Sequence, residues 1–233
     1  MMEQIVTGLQ WYVVFLFSTT LPEAAHAFAA WRLGDSTAYE GGQVTLDPIP
    51  HIRREPIGTV VVPLLSYFLG GWMMGWASVP YDREWSLQNP KKSAMMSLAG
   101  PAGNLILVLL AALAVRIGMA ADVFSPPESL RFGHIVEANT SGAWEVTASF
   151  VSLFFSLNLL LFLFNLLPLP PLDGSGVIPL FLSHERGQRY MNLLYNNPSG
   201  FFGLFIAWKV FGFIYSPIHL LVINLLYPGL EYR

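Results

Sequence analysis

Long apolar stretches separated by short polar linkers dominate the sequence. A bilayer core about 30 Å thick needs about 20 mostly apolar residues per spanning helix, and five stretches meet this requirement. They occupy residues 5–33, 57–80, 93–121, 146–167 and 201–226. A shorter apolar piece at residues 176–182 is too brief to cross alone, and we expect it to form a buried or re-entrant helix. The pattern predicts an all-α polytopic membrane protein with about five to six transmembrane helices.

The polar linkers between these stretches are short and lie at residues 35–56, 81–92, 122–145 and 183–200. In the first linker, residues 41–48 alternate as in a strand and end at an Asp-Pro turn, which predicts a short re-entrant strand segment. Repeats and low-complexity tracts are absent from the sequence. We therefore expect one membrane-embedded domain over residues 1–233, with a core at 5–183 and a C-terminal span at about 201–226.

Composition agrees with a membrane location. Of the 233 residues, 54% are hydrophobic and 12% are charged, whereas about 25% of a typical soluble domain is charged. The net charge of −3 argues against a nucleic-acid binder, which normally has a basic face. The absence of cysteine excludes disulfides, thiolate zinc sites and cysteine nucleophiles. We expect a multi-pass integral membrane protein, located in the cell membrane.

Ionisable residues at membrane depth are costly and usually mark a function. Glu23 and His26 lie within the first stretch and, three residues apart, share one face of a helix. Such a pair can bind a metal, and it can also form half of the His-Glu-x-x-His motif of zinc proteases. In this chain the first ligand position of that motif is Pro22. Taken alone, the pair is equally consistent with a structural hydrogen bond.

Asp173 follows a proline-rich string at the end of the fourth stretch, Asn165-Leu-Leu-Pro-Leu-Pro-Pro-Leu-Asp173-Gly174. Irregular backbone at membrane depth is tolerated only against protein or a wet cavity. A carboxylate there can serve as an oxygen ligand for a metal. It can also cap the short helix that follows, and both roles are compatible.

Together these motifs resemble the site-2 protease family of intramembrane zinc metallopeptidases. The similarity covers roughly residues 21–177, in the order seen in the family's short prokaryotic members, and the proline-rich Leu-Asp-Gly string is its most specific element. The motifs that carry it are Glu23-x-x-His26, Gly100-Pro101-x-x-Asn104 and Asn165 through Leu172-Asp173-Gly174.

The resemblance implies a Zn²⁺ cofactor and a role for each matched position. His26 and the residue at position 22 would be imidazole ligands, and Asp173 would be the third ligand. Glu23 would be the general base that takes a proton from zinc-bound water. Asn104 and Asn165 would line the cavity and hold the substrate strand or the oxyanion.

The resemblance also implies a class of substrate. Family members cleave transmembrane segments of other proteins within the bilayer, so such segments are the expected partners. Residues 41–48 would help to present the substrate in extended form.

Pro22 departs from this pattern because its side chain has no donor atom, which leaves His26 and Asp173 as ligands. Catalytic zinc normally keeps three protein ligands. His51 lies in the matched region near the predicted strand and is the best candidate for a substitute ligand. Proline also removes the backbone donor to the Ser18 carbonyl, so we expect a kinked or broken helix, with the Thr19 and Thr20 hydroxyls satisfying the freed backbone.

Two functions therefore stay open. One is a working zinc peptidase that retains Glu23, His26 and Asp173. The other is a catalytically silent pseudoprotease that binds transmembrane helices as a regulator or chaperone. Serine-type and aspartyl-type intramembrane proteases are excluded because their Gly-x-Ser-Gly and Gly-x-Gly-Asp strings are missing. A transporter would need symmetric halves, which the sequence lacks.

Overall fold

Four long helices form the framework of the protein. The structure, a computed structural model, describes residues 2–196 and 200–233, without the side chains of residues 2–4 and 201. Residues 197–199, part of the fourth predicted linker, lie outside the described residues. Each long helix contains an apolar segment long enough to span a membrane. They are α1 (Met2–Leu33), α6 (Pro90–Ala120), α7 (Ala143–Asn165) and α10 (Gly200–Leu226). The all-α polytopic membrane fold is thus confirmed.

Short elements connect these helices. The short helices are α2 (Thr37–Glu40), α3 (Pro48–Arg54), α4 (Val62–Gly70), α5 (Arg83–Gln88), α8 (Asp173–Val177) and α9 (His184–Asn196). A π-helical turn, Ile57–Val61, precedes α4, and a 3-10 turn, Ile178–Phe181, follows α8. Strands β1 (Phe124–Ser125) and β2 (Glu137–Ala138) pair antiparallel, with Phe124 opposite Ala138.

Side-chain caps and proline set several of these boundaries. The Asp47 carboxylate accepts from the Ile49 backbone N–H at 2.9 Å and begins α3. In the same way the Asp82 carboxylate accepts from the Glu84 N–H at 2.8 Å and begins α5. Such caps satisfy backbone donors that have no partner within a helix. Gly71, at φ +74°, ends α4 in the left-handed conformation that glycine adopts without steric cost.

Two sequence predictions need correction here. The stretch at 57–80 does not form one spanning helix, because helix ends at Gly70 and an extended segment follows, without helix or strand between residues 73 and 82. Hydropathy does not distinguish an apolar helix from an apolar segment without helix, so residues 57–80 form one continuous apolar stretch in the sequence. Residues 41–47 form turns and bends rather than a strand, and Pro48 already belongs to α3.

The extended segment is fixed by close backbone contact with the π-helical turn. The Trp76 backbone N–H donates to the Gly58 carbonyl at 3.1 Å. A Cβ at Gly58 would overlap the Trp76 carbonyl, and one at Gly75 would overlap the Gly58 carbonyl. Both positions need glycine because the two backbones are in contact and leave no room for a side chain.

Helix α6 is the central helix and packs against both α1 and α7. At the α1 contact, Gly100 and Gly103 present no side chain, and α1 residues occupy the space that a Cβ would fill. Small residues of this kind let membrane helices approach closely. At the other end of α6, a buried core joins α6, α7, α10 and the β1–β2 linker through Val115, Ile135, Phe155, Ile223 and Tyr227.

Pro22 does not break α1, so of the two outcomes expected from the sequence, a kinked or a broken helix, the broken helix is wrong. The Asn104 side-chain amide donates to the Ser18 carbonyl at 3.0 Å and so replaces the backbone donor that Pro22 lacks. The Thr19 hydroxyl, which was expected in this role, donates instead to the Phe15 carbonyl at 2.9 Å. A neighbouring helix therefore supplies the missing donor, as membrane bundles commonly do.

Replacing Asn104 by leucine is expected to lower the free energy of unfolding by about 1–2 kcal/mol, because the Ser18 carbonyl loses its donor. Unfolding in detergent–SDS mixtures measures this cost. In a Pro22→Ala background the backbone N–H is restored, so the cost should fall by about 1 kcal/mol. Asn224→Leu is the matched control, with hydrogen bonds only to Tyr232 at 2.9 and 3.2 Å. Equal costs in both backgrounds would contradict the compensation.

Helix α10 packs against the proline-rich loop that precedes α8. A Cβ at Gly203 would overlap the Pro170 carbonyl oxygen, so the helix backbone touches the loop. Ala207 is fully buried in a small cluster with Leu167 and Leu172. This contact fixes the loop immediately before Asp173.

Candidate functional site

A cavity of about 510 Å³ lies among α1, α6, the extended segment, the proline-rich loop and α9. Glu23 and His26 from α1 and Asp173 from the start of α8 all line it. The rest of the wall mixes apolar side chains with hydroxyl groups. The apolar residues include Val79, Met96, Pro171, Met191 and Leu194, and the hydroxyl residues include Ser78, Tyr81, Ser97 and Tyr195.

His26 is held in a defined orientation. Its Nδ1 lies 2.7 Å from the Met96 carbonyl oxygen, which can only accept, so Nδ1 carries the proton. Its Nε2 lies 3.2 Å from Asp173 Oδ2. This is the orientation of a zinc-binding histidine, which donates its other ring N–H to an oxygen and turns its free nitrogen towards the metal. Two ligand atoms of one tetrahedral zinc ion lie about 3.3 Å apart, which is close to the distance between His26 Nε2 and Asp173 Oδ2.

Glycine makes room for the imidazole. A Cβ at Gly100 would overlap the His26 ring at Nε2, Cε1 and Cδ2. A Cβ at Gly174, directly after Asp173, would overlap the Leu166 carbonyl. The chain can therefore bring α8 back against the end of α7, which turns Asp173 towards α1.

Glu23 shares the cavity with this pair and is half-buried. The charged groups that act on it are His26, Asp173, Glu55 and Arg54. Glu55 itself accepts a hydrogen bond from the Ser78 hydroxyl at 2.6 Å. One imidazole and two carboxylates from distant parts of the chain thus meet at one cavity.

This donor set does not match that of a catalytic zinc site. Position 22 supplies no donor, and within residues 2–196 and 200–233 no three or more His, Asp or Glu side chains are arranged to hold a metal ion. The four remaining residues, 1 and 197–199, are Met, Asn, Pro and Ser. Because catalytic zinc needs three protein ligands, the residues present do not fit one.

His51 does not supply the missing ligand. It is buried in α3, outside the cavity wall, and its Nε2 lies 3.2 Å from the Thr45 carbonyl, to which it donates. Its Nδ1 is buried without a hydrogen-bond partner among the described residues. Burial lowers the pKa of His51 below its ordinary value, against the opposing effects of the Thr45 carbonyl and Asp47.

The depressed pKa of His51 predicts a loss of stability in acid. Above about pH 6.5 the ring is neutral in both the folded and the unfolded chain. Below it the unfolded chain takes up the proton first, so the free energy of unfolding falls as the pH falls, by at most about 1.4 kcal/mol per pH unit. Unfolding measured between pH 7 and 5 should show this slope, and His51→Gln should reduce it. His184→Gln, at an exposed position, is the control, and an equal reduction there would contradict the assignment.

Two other predicted site residues lie away from the cavity wall. Asn104 is fully buried between α1 and α7, where its amide donates to the Ser18 carbonyl and, at 2.9 Å, to Asn158 Oδ1. Asn165 is half-buried at the last turn of α7. The structure therefore brings together Glu23, His26 and Asp173 but not these two asparagines.

The polypeptide that lines the cavity in extended form was missed in the sequence. Residues 77–79 lie on the cavity wall, whereas Val44, Thr45 and Leu46 lie in a separate shallow depression beside Leu21 and Phe28. The available signal was the Gly70-Gly71 pair and Pro80, which delimit a strand-like piece within an apolar stretch.

A helical membrane protein with a His-Asp pair and a glutamate at one cavity belongs to the class of intramembrane metallopeptidase-like proteins. Residues 10–208 match the model of Peptidase family M50, which covers most of the chain. The protein therefore belongs to Peptidase family M50, the site-2 protease family, as the sequence motifs predicted.

The chain is also similar to curated proteins that are named as zinc metalloproteases. The chain is 34% identical over 167 residues to "Putative zinc metalloprotease YwhC" of Bacillus subtilis, which is 71% of this chain and 66% of the relative. It is 32% identical over 173 residues to "Putative zinc metalloprotease Rip2" of Mycobacterium tuberculosis, or 73% of this chain and 56% of the relative. The chain thus spans just under two thirds of the first relative and little over half of the second. No solved structure matches the chain significantly.

Proposed function

We propose that this protein binds transmembrane segments of other membrane proteins in its cavity without cleaving them, as a catalytically silent member of its family. The observation that carries this proposal is Pro22, at the position of the first zinc ligand. The chain keeps a cavity lined by Glu23, His26 and Asp173 but has no histidine at position 22 to act as the third protein ligand that catalytic zinc requires. A protein of this kind would act as a regulator or chaperone of its partner.

The cavity walls support the binding of a peptide segment. Residues 77–79 lie along one side of the cavity and belong to neither a helix nor a strand, and an extended peptide can pair with such backbone through main-chain hydrogen bonds. The hydroxyls of Ser78 and Ser97 provide further partners, and Met191 and Leu194 of α9 provide apolar contact. A volume of about 510 Å³ holds a few side chains of a locally unwound segment.

Three measurements on the protein in detergent or vesicles test the proposal. We expect zinc well below one ion per chain, measurable affinity for a fluorescent model transmembrane peptide, and no cleavage of that peptide. Ser97→Trp should abolish binding by filling the cavity, whereas Leu109→Trp, on the exposed face of the same helix, should preserve it. Cleavage by the unmodified protein, or binding that survives Ser97→Trp, would overturn the proposal.

A working zinc peptidase is the second candidate, favoured by one observation. His26 has the orientation and the spacing to Asp173 of a zinc-ligand pair, with Glu23 beside them at the cavity. If this candidate is correct, Zn²⁺ would be held by His26 and Asp173, and would supply a bound water of lowered pKa. Stoichiometric zinc in the unmodified protein, lost in Asp173→Ala together with cleavage of a model transmembrane peptide, would establish it.

A further inference from the structure

We propose that the segment bound in this cavity carries a lysine or arginine at membrane depth, and that its cationic group lies against Glu23 and Asp173. This inference rests on the proposed function and names the chemistry of the partner. It follows from the charge of the cavity wall and from the depth at which the carboxylates lie.

The ionisable groups on the described cavity wall, other than tyrosines, are Glu23, Asp173 and His26. Two carboxyl groups and one imidazole share this wall, so it holds one more acidic group than basic groups. Lysine and arginine are absent from the described wall. Arg54 and Glu55 lie outside the wall and act on Glu23 in opposite directions.

The location makes this charge costly. Glu23 lies near the middle of the apolar segment Ile5–Leu33, and Asp173 lies beside it at the cavity. Carboxylates at membrane depth pair with a cation or with other polar groups. His26 pairs with Asp173 and already donates Nδ1–H to Met96, which leaves Glu23 as the carboxylate without an ionic partner of its own on the described wall.

The shape of the wall matches a long basic side chain. Such a side chain buries its methylene stem against apolar surface and keeps its charged end at a polar group. Met96, Leu172, Met191 and Leu194 supply that apolar surface around the carboxylates. A lysine or arginine entering the cavity would therefore meet apolar contacts along its length and negative charge at its end.

The test measures energy transfer between labelled protein and model peptides in phosphatidylcholine vesicles. The chain has no cysteine, so Glu128→Cys, at an exposed position, gives one dye site. The peptides are identical apolar helices of about 20 residues whose central residue is lysine, methionine or glutamate. We expect the lysine peptide to bind at least about tenfold more tightly than the methionine peptide, and the glutamate peptide to bind least.

Charge-removing variants identify the source of the preference. Glu23→Gln and Asp173→Asn should each reduce the preference for lysine, and the double variant should erase it while still binding the methionine peptide. Glu145→Gln, at an exposed position on α7, is the matched control and should leave the preference unchanged. Because the amides keep the shape of the carboxylates, binding of the methionine peptide also reports that the variants are folded.

The outcomes separate this inference from the proposed function. Equal binding of lysine and methionine peptides, both blocked by Ser97→Trp, would overturn the inference and leave the proposed function intact. Failure of every peptide to bind would overturn both. Lys209 is an exposed cation on α10, so a second copy of the chain is the rival occupant. Transfer between two copies that competes with the lysine peptide and disappears in Lys209→Met would overturn the inference in favour of that rival.

Discussion

Pro22→His is expected to hold about one zinc ion per chain through purification, whereas the unmodified protein is expected to hold well below one. The new imidazole would lie four residues before His26, on the same face of α1. It would complete a set of two histidines and one aspartate, which is the number of ligands that catalytic zinc keeps. Since the loss of an outer-shell partner alone costs 10- to 100-fold in affinity, restoring a ligand should raise zinc affinity by roughly 100-fold or more. Metal analysis of the purified protein measures this change.

Two variants separate the ligand from the backbone effect of this substitution. Pro22→Ala restores the backbone N–H without adding an imidazole, so it should remain free of stoichiometric zinc. Asp173→Ala in the Pro22→His background should lose the metal again. If Pro22→His binds zinc and also cleaves a model transmembrane substrate, the silence of the natural protein is due to this one residue. Zinc in the unmodified protein at the same level as in Pro22→His would refute the explanation.

Sequence reasoning could predict four of the five proposed spans because long apolar stretches are strong local signals, whereas the convergence of Glu23, His26 and Asp173 followed from the resemblance to site-2 proteases. An apolar stretch of about 20 residues has few folds available to it in a bilayer. His26 and Glu23 share a helix face, and the proline-rich string forces irregular backbone at Asp173. The cavity shared by Glu23, His26 and Asp173 agrees with these expectations.

The errors arose where a contact depends on another helix. Pro22 was expected to disrupt α1 because a local view offers only Thr19 and Thr20 as donors, whereas the actual donor is Asn104, distant in sequence. Because its side chain is directed towards the Ser18 carbonyl, Asn104 does not lie on the cavity wall. The extended segment at 77–79 was hidden for a related reason, since its apolar residues have the hydropathy of a helix while Gly58 and Gly75 allow backbone contact.

Gly100→Ala is expected to displace His26 and so to disconnect the imidazole from Asp173. The added methyl group would overlap the His26 ring, which cannot move freely because Met96 and Asp173 hold its two nitrogens at 2.7 and 3.2 Å. Overpacking of this kind costs about 1–3 kcal/mol of unfolding free energy. In the Pro22→His background the same substitution should abolish zinc retention, because His26 would no longer lie beside Asp173.

Gly212→Ala is the matched control for this substitution. Gly212 is also a helical glycine, on α10, but apart from the neighbouring backbone of its own helix no heavy atom of the described residues lies within 4 Å of the position that a Cβ would occupy. There, alanine should stabilise the helix by up to about 1 kcal/mol through its higher propensity and leave zinc retention by Pro22→His unchanged. The two substitutions make the same chemical change and differ in what the new methyl group meets, so opposite signs of the unfolding effect would locate the cause at the His26 contact. Equal effects, or zinc retained in the Gly100→Ala, Pro22→His double variant, would show that the imidazole is not held as closely as the geometry requires.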